Sequence, residues 1–101
     1  MKLLYKDKEL MVTTTTNKGI MRYKFQKLYY AIIINHCNSY SSIASKQRVD
    51  VCMVDDALNI LSYKYDMHEN TIYKNEKATK TILLPRGYYC NLEINTKFDL
   101  K

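Results

Sequence analysis

With 101 residues, 47% of them hydrophobic, the chain has room for one domain and one modest core, and it is too apolar to be disordered. A formal net charge of +6 and a pI near 9.2 suit an anionic partner. The longest apolar stretch, "LYYAIIIN", is far shorter than the roughly 20 residues of a membrane span, so no membrane contact is expected.

The first element expected is a hairpin. "MKLLYKDKELMVTTTT" alternates at period two through Leu3/Tyr5 and Leu10/Val12 around a Lys-Asp-Lys turn. It turns polar after five residues, which does not read as a secretory signal. After "NKG", the residues Met21, Phe25, Leu28, Tyr29, Ile32 and His36 recur at helical spacing and predict a helix over about 20–36. The "AIII" run inside it favours a strand, but sixteen residues of 3.6 periodicity outweigh it. The aromatics of this helix read as a core stripe. "NSYSS" offers helix N-caps, which predicts a short second helix over about 41–47. A third helix is predicted from Asp50 to about Tyr63, with Val54, Ala57, Leu58 and Leu61 on its apolar face. "PRG" is a strong turn signal, so 80–84 and 88–94 read as a closing hairpin, with 71–73 as a further short strand.

The stretch "SSIASKQRVDVCMVDDALNIL" sharpens this into a family resemblance. Ile43, Ala44, Val49, Val54, Ala57, Leu58 and Leu61 fill the positions through which the second and third helices pack in winged helix-turn-helix DNA-binding proteins. The chain therefore resembles that superfamily over about 80 residues. Two residues depart from the pattern: Arg48 stands where the turn usually takes a glycine, and Gln47 where a small or apolar residue normally completes the second helix. The resemblance implies an α+β winged helix-turn-helix fold: a single domain over 1–101 with an N-terminal hairpin or arm over 1–17, three helices over 19–63 and a C-terminal β-hairpin wing over 71–97.

Function follows as an expectation. The resemblance implies a small sequence-specific regulator of transcription that binds double-stranded DNA. One module covers only a short half-site, so a homodimer is expected. There is no acidic residue from Leu10 to Val49, and Lys74 to Arg86 holds only Glu76. Lys24, Lys27, Lys46, Arg48, Lys77, Lys80 and Arg86 are the candidate contacts to the DNA backbone. Asp50, Val51, Cys52, Asp55, Asp56 and Asn59 occupy the positions that would read bases. That surface is acidic, so Asp50, Asp55 and Asp56 equally fit helix capping. It also supports an alternative, a protein-interaction module such as a mobile-element inhibitor that docks its acidic third helix on a host protein. Lys outnumbers Arg 13 to 3, a bias of AT-rich genomes that fits a phage or virus acting in the host cytoplasm.

No catalytic constellation is legible. Cys37, Cys52 and Cys90 are too scattered for a disulfide framework, and His36–Cys37 lacks a second pair at ligand spacing. A cytoplasmic, reduced chain with no metal, no cofactor and no enzymatic activity is expected.

Overall fold

A computed structural model describes every residue except Phe25, Ala44 and Lys46. It overturns the winged-helix expectation. The described residues form nine strands and one short 3-10 turn, η1 (Gly19–Tyr23), with no α-helix. The strands are β1 (Lys2–Tyr5), β2 (Lys8–Thr15), β3 (Ala31–Asn35), β4 (Ser39–Ser41), β5 (Val49–Val54), β6 (Ile60–Met67), β7 (Ile72–Lys74), β8 (Lys80–Pro85) and β9 (Asp99–Leu100). Seven of them make one sheet in the order β6-β5-β8-β3-β2-β1-β9, while β4 and β7 pair separately. All pairings are antiparallel except β2 with β3.

The sheet curls, and the C-terminal segment ties its edges together. Residues 95–98 lie along the start of β6, through Ile60 N to Thr96 O (2.7 Å), Asn95 N to Ile60 O (2.9 Å) and Phe98 N to Leu58 O (3.1 Å). The chain then continues into β9 against β1, with Lys2 and Lys101 exchanging both backbone bonds at 2.9 Å. The C-terminal segment thus covers the start of the β6 edge and the outer edge of β1.

Two cores result, one on each face. The inner core gathers Leu3, Tyr5, Ala31, Ile33, Cys52, Val54, Ile60, Ile82, Leu84, Tyr89 and Phe98, side chains from strands right around the curl. The outer core sets Ile32, Ile34, Val49, Val51, Met53 and Leu83 against Ile20, Leu28, Cys37, Tyr40 and Ala78. Residues Ala31 to Ile34 and all of β5 are consequently buried. A strand buried on both faces loses the polar–apolar alternation by which strands are usually recognised. This explains the misread helices. The predicted first helix is η1 followed, after a connection, by β3. The predicted third helix is β5, a turn and β6. The predicted second helix falls on the end of β4 and the loop after it, with Ala44 and Lys46 outside the described residues.

The predicted wing is also redrawn. β8 lies in mid-sheet between β3 and β5, and residues 88–94 do not pair with it. After the Pro85–Tyr88 turn, where Gly87 has φ +80°, the chain folds into the curl and buries Tyr89 and Leu92. The N-terminal hairpin is present, with β1 and β2 joined through Lys6 and Asp7.

Candidate functional site

One end of the curled sheet is where β3 and β5 begin and β6 and β8 end. A cleft of about 670 Å³ opens there, lined by Gln26, Lys27, Leu28, Tyr29, Gln47, Arg48, Pro85, Arg86 and Tyr88. Its lining carries three cations and two tyrosines. No lining residue is acidic, although Asp66 stands beside both arginines.

A buried carboxylate organises this end. Asp50 is 1% exposed and accepts hydrogen bonds from the backbone N–H of Asp66 (2.7 Å) and of Gly87 (2.9 Å). Both residues hold positive φ, +52° at Asp66 near the end of β6 and +80° at Gly87 in the turn after β8. One side chain thus pins the irregular end of the β5–β6 ladder to the β8 turn. The β5–β6 register shifts between Val49 and Val51, as a bulge requires. Asp66 in turn faces both arginines. Arg48 donates to its Oδ2 at 3.1 Å, and Arg86 lies 3.5 Å from its Oδ1. The second contact is charge attraction without a hydrogen bond, and Oδ1, hidden from solvent, has no hydrogen-bond partner among the described residues. All three side chains are about half exposed, so the pairs add little to stability and serve mainly to hold the guanidiniums together.

The opposite wall is built from the connection before β3. Gln47 accepts from Leu28 N–H at 2.6 Å and donates through Nε2 to Gln26 O. Leu28 is buried and Tyr30 packs on the outer core. Between these two anchors Tyr29 is 72% exposed, with Lys27 Nζ 5.6 Å from its ring centroid. Tyr88 is more occupied, since its hydroxyl donates to Glu9 O and Lys8 Nζ sits 4.5 Å over its ring.

Of the backbone-contact candidates, Lys27, Arg48 and Arg86 converge on the cleft. Lys77 and Lys80 lie at the other end of the sheet, a strand's length of roughly 17–20 Å away, where Lys80 donates to Asn35 Oδ1 at 3.2 Å. Lys24 is no surface contact. It is 7% exposed and donates to Ser41 O (2.8 Å) and Ile43 O (3.2 Å), with desolvation lowering its pKa. Lys46 lies outside the described residues.

The predicted base-reading set is dispersed because its helix does not exist. Asp50, Val51 and Cys52 are buried in β5, and burial pushes the Cys52 thiol up to about 12. Asp55 caps the β5–β6 turn, accepting from the N–H of Ala57 (3.0 Å) and Asn59 (2.9 Å) and from Asn59 Nδ2 (3.0 Å). These bonds, the one from Asn59 Nδ2 foremost, hold its carboxyl below the usual range. Asp56 accepts from Thr79 Oγ1 at 2.7 Å. These carboxylates support turns at the end away from the cleft.

Sequence reasoning missed Tyr29, which it assigned to a core stripe, and Asp66 and Gln47, whose side-chain partners stand 18 or more positions away. It also took Asp50 for a helix cap. No local signal marks these four roles.

Comparison with known protein families, characterised proteins and solved structures returned no match for this chain.

Proposed function

We propose that the protein binds nucleic acid through the cleft between residues 26–29 and the Arg48–Arg86 pair. The observation that carries this is the convergence of Lys27, Arg48 and Arg86, distant in sequence, around one concavity that also holds an exposed tyrosine. Phosphates supply charge for the cations, and arginine forks suit phosphate geometry. The net charge of +6 adds long-range attraction. Neither a recognition helix for duplex DNA nor an acidic third helix for a host protein is present among the described residues. Among the described residues, no helix is long and apolar enough to cross a membrane.

Fluorescence anisotropy with labelled oligonucleotides at several salt concentrations tests the proposal. Log affinity is expected to fall with log salt, and Arg48→Ala and Arg86→Ala are each expected to flatten the slope by about 0.7–0.9, the value of one phosphate contact. Equal affinity in all three proteins would remove the cleft from the reading.

A further inference from the structure

Resting on the nucleic-acid reading, we infer that the ligand is an unpaired strand, DNA or RNA, and that Tyr29 is the platform on which one of its bases stacks. The Tyr29 ring is 72% exposed to water and its chain neighbours are one buried and one half-buried residue, so the backbone that carries it is anchored on both sides. Leu28 is held by its burial and by the Gln47 bond, and Tyr30 by the outer core and an edge contact with Tyr23, ring centroids 6.5 Å apart. Ordering the platform on binding therefore costs little entropy. Lys27 lies near the ring of Tyr29 on the same wall, while Arg48 and Arg86 line the same cleft. A base on Tyr29 would thus have cations within reach of its own phosphates, the combination that single-strand binders use.

The geometry disfavours a duplex. A volume of about 670 Å³ is that of a small-ligand pocket, suited to an extruded nucleotide and not to a double helix. Reading a major groove needs a protruding helix or ribbon, whereas the elements around this cleft are turns and connections. The separate β4–β7 ribbon has three-residue strands and packs Tyr40 and Tyr73 on the outer core. Lys77 and Lys80 do not extend the cleft, because they lie at the far end of the sheet.

The experiment compares three labelled 12-mers at one low salt concentration: a thymidine strand, a strand of the same length with abasic sites throughout, and a duplex. A uridine strand serves as the RNA arm. The thymidine or uridine strand is expected to bind tightest. Tyr29→Ala is expected to weaken it roughly 5- to 150-fold, the worth of one stacked base, while the abasic strand keeps its affinity. Tyr29→Phe, which preserves the ring, should behave as the parent, and Tyr29 is exposed enough for both variants to fold. Duplex bound as well as or better than single strand, or Tyr29→Ala without effect, would overturn the inference while leaving nucleic-acid binding intact. No binding by any 12-mer would overturn both.

Discussion

Replacing Asp50 tests the organisation of the cleft end directly. Its carboxylate accepts two backbone N–H groups, from Asp66 and Gly87, at a site 1% exposed. Hydrogen bonds to a charged group contribute about 1.5–3 kcal/mol each, and a donor left buried without an acceptor forfeits that and its solvation. Asp50→Ala orphans both donors and is expected to destabilise by about 3–6 kcal/mol, a large share of the roughly 5–15 kcal/mol that holds a domain of this size together. Asp50→Asn keeps one acceptor and turns its NH₂ towards the other donor, so about half that loss is expected. Urea denaturation followed by circular dichroism gives both values from the shift in midpoint, provided the slope is unchanged. A loss below about 1 kcal/mol for the alanine variant would show that the two turns hold without Asp50. The asparagine variant carries a second readout. It should weaken oligonucleotide binding beyond its stability loss, because Arg48 and Arg86 are placed through Asp66.

Thiol chemistry and pH check the burial on either side of the sheet. Cys37 and Cys52 are buried and Cys90 exposed, so a disulfide-exchange reagent at neutral pH is expected to titrate one fast thiol, abolished by Cys90→Ser; two or three fast thiols would contradict the burial of Cys37 in the outer core or of Cys52 in the inner core. Burial pushes the Tyr89 hydroxyl, which donates to Leu3 O and Lys8 O, up to about 12 from an ordinary 10.0. Its contribution to stability is complete below pH 10, where folded and unfolded chains both keep the proton. It is lost as pH climbs from 10 towards 12, because only the unfolded chain gives the proton up there. Midpoints measured across that window should fall, and fall less steeply in Tyr89→Phe; an identical slope in the variant would assign the loss to other groups, Cys52 first.

The parts of this fold legible in the sequence are those with one wet face. β1 and β2 alternate because Leu3 and Tyr5 face the inner core while Lys2 and Leu4 face outwards, and that hairpin can be read directly from residues 1–16. β3 and β5 are sandwiched between two cores, and their continuous apolar runs carry no period at all. The helical spacing from Met21 to His36 is a coincidence across a 3-10 turn, a connection and a strand. The resemblance in residues 41–61 arose the same way, since Val49 and Val54 are the ends of one strand and not the corner and face of two helices. Three of the candidate cations come together for a physical reason. Lys27, Arg48 and Arg86 each flank an apolar strand, and strands paired in one sheet bring their ends together whatever their order in the chain. Basic side chains kept out of β3, β5 and the buried part of β8 collect where those strands start or stop. What could not follow from the sequence is the set of residues that shape the cleft. Asp50 is a buried acid in a strand and Tyr29 is an aromatic left in water. Both run against the usual preference of their residue types, and conflicts of that kind concentrate at sites a protein uses.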